Sequence, residues 1–258
     1  MILDEIVSKT KERIEKQKKE KPLETLKEQI NTIEENSFPF EETLKKDDLS
    51  FICEVKKASP SKGLICENFN PIEIAKEYES IGASAVSVLT EPHFFQGKNS
   101  YLQDIAENIN IPILRKDFVI DEYMIYEAKT LNASAILLIA SILTENQLKE
   151  YINLATSLGL SALVEAHDKN EITKSLNAGA RIIGVNNRNL KNFTVDINNS
   201  INLRKHVPND ILFISESGIK TNKDIINLRN NNVNGVLIGE TLMKADNKKN
   251  TLDELKKT

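Results

Sequence analysis

Cysteine is scarce in this sequence, and its scarcity excludes a fold held together by disulfides. Cys53 and Cys66 are the two cysteines among the 258 residues, and neither belongs to a Cys-x-x-Cys pair. Two cysteines do not build the framework that staples small secreted domains. We therefore expect both thiols to be reduced.

Long apolar runs are also missing. No run approaches the roughly 20 residues that a membrane-spanning helix needs, and the longest, residues 135–140, has the length of a buried strand. At the N-terminus, Asp4 and Glu5 interrupt the first apolar residues, which does not fit a signal peptide. We therefore expect a cytoplasmic protein that has no membrane partner.

An excess of positive charge is absent as well. The 34 Lys and Arg residues against 38 Asp and Glu residues give a net charge of −4, which argues against nucleic acid as a main partner. Lysines are frequent between residues 9 and 21, but Glu12, Glu15 and Glu20 interrupt them. This pattern is more typical of a solvated helix face than of a polyanion site.

Signals for a metal or a dinucleotide cofactor are missing too. His93, His167 and His206 lie far apart, with neither His-x-x-x-His nor His-Glu-x-x-His spacing. The Gly-x-Gly-x-x-Gly turn of dinucleotide-binding folds does not occur. We therefore expect no bound metal and no cofactor.

Short apolar runs, rich in β-branched residues, recur from residue 51 onward. They occupy residues 51–55, 85–89, 111–114, 135–139, 161–164, 181–185, 211–214 and 235–238. They lack the alternation of a strand with one solvated face, and this is typical of parallel strands buried on both faces.

Segments with helical spacing separate the runs. Asn70 with Glu73 and Thr144 with Gln147 predict helix starts, and Gly82 predicts a helix end. Strict alternation of strand and helix predicts a parallel sheet with right-handed crossovers. Eight such units, without a glycine-rich turn after the first, favour a closed α/β barrel, the (β/α)8 TIM barrel, over an open doubly wound sheet.

Residues 1–48 have a different character. Two amphipathic helical patterns, separated at Pro22, precede the first strand. Such helices are marginal in isolation, so we expect this N-terminal two-helix extension to pack on the barrel. Residues 1–258 would then form a single (β/α)8-barrel domain.

Polar side chains interrupt the apolar trend at the ends of five runs, where barrel enzymes carry their catalytic groups. They are Glu54, Lys56, Lys116, Glu165, Asn186, Arg188 and Glu216. Each has a structural alternative: a buried ion pair for Glu54 with Lys56, a surface lysine at Lys116, and helix caps at Glu165 and Glu216. Their occurrence together at one end of the barrel favours an active site.

Three neighbours of these residues are interpreted differently. Cys53 has the opposite strand parity to Glu54, so we expect it to face the helices as a packing residue. For Arg115 and Asp117 a structural salt bridge and a chemical role remain equal alternatives.

A phosphate site is predicted from the last two strands. Ser217 and Gly218 follow the seventh run, and Gly239 follows the eighth and opens a helical segment over residues 240–245. In barrels these two loops, with that helix N-terminus, present backbone N–H groups to a phosphate. The expected partner is therefore a small phosphorylated substrate.

With these residues placed, the chain resembles the indole-3-glycerol phosphate synthase family. The similarity covers nearly the whole chain, and the strings at residues 54–63, 114–118, 184–190 and 215–219 carry it. It implies a carboxy-lyase of tryptophan biosynthesis that acts on 1-(2-carboxyphenylamino)-1-deoxyribulose 5-phosphate. The aromatic ring attacks the C2′ carbonyl, CO₂ leaves, and water leaves.

The resemblance also implies roles for individual residues. Lys116 is the general acid at the carbonyl oxygen and Glu165 is a general base. Lys56, beside Glu54, binds the substrate carboxylate, and Glu216 holds a sugar hydroxyl. Which lysine performs which proton transfer stays open.

The remaining implied contacts belong to substrate binding. Asn186 and Arg188 orient the anthranilate part. The aromatic and apolar walls are Phe95, Phe118, Leu190 and Pro60. The phosphate contacts are Ser59, Ser217, Gly218, Gly239 and, through its backbone, Glu240.

Two positions depart from the family pattern. Lys98 adds a charge near the mouth of the barrel, and the acidic side chain of Glu240 has to point away from the phosphate.

The competing functions are another phosphate-binding barrel enzyme of the same pathway and a non-catalytic barrel that binds a metabolite. The other enzymes of the pathway lack the N-terminal extension that this chain has. A non-catalytic barrel is expected to have lost Lys56, Lys116 or Glu165, and all three are present here. We expect a monomer, with an oligomer as the alternative.

Overall fold

The computed structural model of the chain describes residues 2–30, 37–46, 48–189 and 192–257. Within these ranges, eight parallel strands close into a barrel, which confirms the predicted (β/α)8 architecture. In chain order the barrel strands are β1 (Ser50–Val55), β4 (Ala85–Leu89), β5 (Ile113–Lys116), β6 (Ala135–Ile139), β7 (Ser161–Ala166), β8 (Ile182–Asn186), β9 (Leu212–Glu216) and β10 (Gly235–Ile238). Two further strands, β2 (Ala58–Ser59) and β3 (Gly63–Leu64), form a small antiparallel hairpin in the loop after β1.

Several strands end later than the apolar runs predict. Lys116, Glu165, Asn186 and Glu216 all belong to the strands themselves, because the ladder pairs backbones whatever the side chain. The register shows this directly, since Asn186 is paired with Glu216. The predicted start of the third strand at residue 111 is wrong: the strand begins at Ile113, because Pro112 has no N–H to donate to the ladder.

Helices surround the barrel. They are α1 (Ile2–Glu20), α2 (Leu23–Ile30), α3 (Pro39–Leu44), α4 (Pro71–Ser80), α5 (Asn99–Ala106), α6 (Glu122–Thr130), α7 (Glu145–Ser157), α8 (Lys169–Asn177), α9 (Asn198–Arg204), α10 (Asn222–Asn230), α11 (Glu240–Met243) and α12 (Lys248–Lys256). The predicted starts at Asn70 and Thr144 are present, and the latter forms a complete capping box with Gln147. Among the described residues, none of the helices has the length and hydrophobicity needed to cross a bilayer.

The N-terminal extension contains α1 and α2, as predicted, together with α3, which the sequence did not reveal. The side chains of Phe40 and Leu44 from α3 are fully buried in the cluster that fills the barrel interior, together with Ile52 and Leu114. The short helix therefore closes the amino end of the barrel. With six residues, it is too short for its periodicity to be recognised.

The apolar core has two layers, one inside the barrel and one between the strands and the helices. Leu114 lies in the inner layer, so the same strand parity directs Lys116 inward. Cys53 lies in the outer layer and is fully buried. Burial raises the pKa of its thiol to about 12, so Cys53 is a packing residue as expected and not a reactive thiolate.

Candidate active site

The carboxyl ends of the strands open into a cavity of about 470 Å³. Polar strand-end side chains singled out from the sequence line it, namely Glu54, Lys56, Lys116, Glu165, Asn186, Arg188 and Glu216. So do residues expected to bind the rest of the substrate, namely Ser59, Pro60, Phe95, Phe118, Ser217, Gly218, Gly239 and Glu240. Leu190 lies outside the described residues. The structure therefore brings the other candidates to one place.

Lys116 lies among carboxylates on the inner face of β5. Its Nζ lies 2.5 Å from Oε2 of Glu216 and 3.4 Å from Oε2 of Glu165. Burial alone would lower the pKa of this lysine, but attraction to Glu216, Glu165 and Glu54 raises it above its ordinary value. Lys116 is therefore an ammonium group at neutral pH, and it has a proton to donate.

Of the two glutamates that contact Lys116, Glu216 is the one whose ionised form is disfavoured. Burial, together with repulsion from Glu165, raises its pKa to about 7 in spite of the attraction of Lys116. Its Oε1 is buried and has no hydrogen-bond partner among the described residues. Gly184 provides the space for this carboxylate, since a Cβ on that residue would lie 2.3 Å from Glu216 Oε1. A buried acceptor without a partner suits a hydroxyl group of a ligand.

Glu165 has the opposite tendency. Burial alone would raise its pKa, but attraction to Lys116 and His167 and a hydrogen bond from Asn186 lower it below the ordinary value. The carboxylate is thus ionised at neutral pH and can accept a proton. Two glutamates on either side of one lysine therefore have different protonation behaviour, an arrangement that suits acid–base chemistry.

Glu54 and Lys56 form a close ion pair at the end of β1. Gly239, at the end of the neighbouring strand β10, makes room for it. A Cβ at residue 239 would lie 2.3 Å from Glu54 Oε1 and 2.9 Å from Lys56 Nζ. The ion pair therefore requires a residue without a side chain at position 239.

An aromatic wall bounds another side of the cavity. The rings of Phe95 and Phe118 have centroids 6.0 Å apart and are tilted by 38°. The loop that carries Phe95 is held by Glu91, whose buried carboxylate accepts hydrogen bonds from the backbone N–H groups of His93, Phe94 and Phe95. Glu91 lies in a loop and matches no motif, so the sequence alone does not indicate its role.

Arg115 and Asp117 belong to an ion-pair network beside this wall, and of the two Asp117 lines the cavity. The two carboxylate oxygens of Asp117 lie 2.9 and 3.0 Å from Nη2 of Arg13 in α1, and Thr90 donates a further hydrogen bond of 2.6 Å. Arg115 donates to Glu127 at 2.6 Å. Of the two alternatives left open by the sequence, the structural salt bridge is the one that these contacts favour.

The loops after β9 and β10, which carry the predicted phosphate contacts, line the cavity. Ser217 and Gly218 both have left-handed backbone, at φ +68° and +87°, and Gly239 immediately precedes α11. The carboxylate of Glu240 is held by cations: Lys244 at 2.9 Å, Lys62 at 3.6 Å and Arg188 at 3.8 Å.

The structure also shows two features of the cavity mouth. The first residues of α1, Ile2, Leu3 and Ile6, contribute to the lining, so the N-terminal extension forms part of the wall. Lys98 is exposed and lies outside the lining, with its ammonium 5.6 Å from the centre of the Tyr101 ring. Within the described residues, His, Cys, Asp and Glu do not group in threes that could hold a metal ion.

Comparison with known proteins gives consistent results. A sequence model of the family described as indole-3-glycerol phosphate synthase matches residues 3–255. A protein of that name from Ruminiclostridium cellulolyticum is 56% identical over 246 residues, which are 95% of each chain. Another, from Endomicrobium trichonymphae, is 55% identical over 99% of this chain and 100% of its own. The crystal structure of a 3-hexulose-6-phosphate synthase superposes with a TM-score of 0.66 at 11% identity, over 80% of this chain and 98% of that chain, and shares the fold.

Proposed function

The chain belongs to the indole-3-glycerol phosphate synthase family, and from this premise we propose how its strand-end residues divide the steps of an indole ring closure. The protein is a carboxy-lyase of tryptophan biosynthesis that acts on a phosphorylated substrate. It converts 1-(2-carboxyphenylamino)-1-deoxyribulose 5-phosphate to indole-3-glycerol phosphate with loss of CO₂ and water. The assignment of single residues to single steps is the proposal.

Lys116 is the general acid of the first step. A ketone is a weak electrophile until a donor shares the charge that develops on its oxygen, an effect of about 10² to 10⁴-fold. The side chain of Lys116 lines the cavity and is only 12% exposed. It donates a proton to the C2′ oxygen as the aromatic ring forms the new carbon–carbon bond. The single observation that carries this assignment is the position of Lys116 between Glu165 and Glu216.

Glu165 is the base of the later steps. After CO₂ has left, the C2′ hydroxyl departs as water, and a proton has to leave the neighbouring carbon to complete the indole. The ionised carboxylate of Glu165 accepts that proton, and its lowered pKa keeps it ionised at neutral pH. Lys56, paired with Glu54, binds the substrate carboxylate and is the second candidate acid for the departing hydroxyl. Glu216 accepts a hydrogen bond from a sugar hydroxyl through its unpartnered Oε1.

Other residues hold the two ends of the substrate. Phe95, Phe118 and Pro60 pack on the aromatic ring, and Leu190 is retained in this set from the sequence alone. Asn186 and Arg188 orient the anthranilate part. Backbone N–H groups at Ser217, Gly218, Gly239 and Glu240, with the hydroxyl of Ser59, receive the phosphate. Because Glu240 is neutralised by Lys244, Lys62 and Arg188, its charge does not oppose that anion strongly.

The direct test is the reaction itself. The purified protein is mixed with the carboxyphenylamino-deoxyribulose phosphate, and formation of the indole is followed by its fluorescence. We expect turnover without added metal or cofactor, in the presence of a chelator. A protein that binds the substrate without producing indole would instead be the metabolite-binding barrel considered from the sequence.

We also propose that the enzyme is a monomeric single domain of the cytoplasm. The extension supports this domain assignment, since α1 is joined to the barrel by ion pairs such as Lys18 with Asp121 at 2.7 Å. Sedimentation velocity at micromolar concentration tests the proposal through a mass near the 29.1 kDa of one chain.

A further inference from the structure

His167 lies just outside the proposed catalytic cavity, between two carboxylates. It follows β7 directly, and its Nε2 lies 3.5 Å from Oε1 of Glu165. Its Nδ1 lies 3.2 Å from Oε2 of Glu171, in the first turn of α8. The side chain of Glu165 is 5% exposed, whereas those of His167 and Glu171 are each 18% exposed. The imidazole therefore lies between the buried base and a carboxylate closer to solvent.

The local backbone holds the imidazole in this position. The backbone N–H of His167 donates to the Glu171 carboxylate at 2.7 Å, the same oxygen that faces the ring. Asp168 caps α8 by accepting from the backbone N–H of Glu171 at 2.9 Å, and the side chain of Asn199 donates to the carbonyl of His167 at 3.3 Å. The ring is thus placed by the turn between β7 and α8 and needs no substrate to orient it.

The charges around the ring favour its protonated form. Burial alone would lower the pKa of His167, but the hydrogen bond to Glu171 and the attraction of Glu165, Glu171 and Glu216 raise it. On the other side, Glu165 faces Lys116 and accepts a hydrogen bond from Asn186. Among the described residues, Nε2 of His167 is buried without a hydrogen-bond partner, so its interaction with Glu165 is that of two charges and not of a formed hydrogen bond.

We propose that His167 is a positioning residue for the general base: as an imidazolium held by Glu171, it keeps Glu165 ionised and directed at the substrate. This inference rests on the role proposed for Glu165. His167 does not touch the reacting atoms and transfers no proton in this account. It acts through the charge of Glu165 in the range of pH where that carboxylate would otherwise take up a proton.

The decisive experiment is the pH profile of turnover for His167→Gln. For the wild-type enzyme we expect kcat to fall at low pH, when Glu165 becomes protonated. Because an opposite charge a few ångströms away lowers the pKa of a carboxylate by about one unit or more, its removal should raise the pKa of Glu165. We therefore expect the acid limb of kcat to move up by about one pH unit, with little change in KM.

Two further variants separate this effect from a general structural one. Glu171→Gln retains an acceptor for the backbone N–H of His167 but removes the charge, so a smaller shift in the same direction is expected. His206→Gln, whose ring lies in the turn after α9 and outside the cavity lining, should leave the profile unchanged. Side-chain NMR adds a direct readout: the histidine resonance that disappears in His167→Gln should titrate above the ordinary value of about 6.5.

The possible failures can be told apart. The positioning role is wrong if His167→Gln folds and retains the wild-type acid limb. It is also wrong if the His167 resonance of the wild-type enzyme titrates below the ordinary value. If Glu165→Gln turns over at the wild-type rate, the proposed base is wrong, whatever the result at His167. Should His167→Gln fail to fold, the Glu171→Gln profile decides, and an unshifted limb there overturns the proposal.

Discussion

Lys116 lies beside two glutamates in the cavity, Glu165 and Glu216. The surroundings favour the charged form of Lys116 and of Glu165 but not that of Glu216. Lys116 and Glu165 are held in their charged forms, whereas burial raises the pKa of Glu216 to about 7. A glutamate whose pKa is higher in the folded state than in the unfolded state stabilises the fold at low pH. This contribution is complete below the unfolded pKa of about 4.3. That contribution is lost as the pH rises through the folded value, because the charged form is the one that burial penalises.

Glu216→Gln is therefore expected to stabilise the fold while it damages the enzyme. The amide resembles the protonated acid, so at pH 8 the variant should be more stable than the wild type, by about 4 kcal/mol at most. The gain should shrink as the pH falls from 7 towards 4.5. Thermal unfolding at pH 5 and pH 8 measures it, and indole formation measures the accompanying loss of activity. Equal stabilities at pH 8 would show that Lys116 already compensates the charge.

Some residues of the site can be predicted from the sequence and others cannot. Glu54, Lys56, Lys116 and Glu216 stand out because charge interrupts an apolar run, and that contrast can be read along the chain. Glu91 contacts the backbone of its own loop, and the proposed partner of His167 is the Glu165 carboxylate. These contacts exist only in the folded loops, so no sequence spacing predicts them.

At the scale of elements, the extension is joined to the barrel through buried charge. Arg13 of α1 contacts both carboxylate oxygens of Asp117, which directly follows Lys116. The side chain of Asp117 is fully buried, whereas that of Arg13 is 13% exposed. Removing one partner of such a pair costs more than the pair contributes, because the remaining charge stays buried.

Arg13→Ala is accordingly expected to destabilise the protein by about 3 to 5 kcal/mol. Denaturant unfolding measures the loss as a lower midpoint. Lys16→Ala is the matched control on the same helix, since the pair of Lys16 with Glu20 is exposed and 3.7 Å long. Exposed pairs contribute about 0 to 1 kcal/mol, so the control should unfold nearly as the wild type does. Equal midpoints for the two variants would contradict a stabilising role for the buried pair.

The sequence predicts elements better than their ends. Apolar runs identify the barrel strands, but polar residues at β5, β7, β8 and β9 break the runs before the backbone ladder ends. The helix α3 escapes prediction because six residues carry too little periodicity, and its burial depends on the barrel end that it closes. Both differences arise from tertiary pairing, which a local pattern does not contain.

In the whole molecule, closure of the barrel brings residues that are far apart in the sequence close together in space. Lys116 and Glu216 are separated by 100 positions, and their side chains are 2.5 Å apart. The parallel topology, which the alternation of strand and helix predicts, brings every strand's carboxyl end to one face. The contribution of Ile2, Leu3 and Ile6 to the cavity wall is not predictable in this way, because it depends on how α1 docks on the barrel.

Ring closure is proposed to depend on the proton that Lys116 supplies. The measurement that tests it most directly compares Lys116→Ala with the wild type in two assays: indole fluorescence under saturating substrate, and calorimetric binding of the substrate. We expect turnover of Lys116→Ala to fall at least 10²-fold, while the phosphorylated substrate still binds and the far-UV circular dichroism is unchanged. Turnover at the wild-type rate in a folded Lys116→Ala enzyme would contradict it.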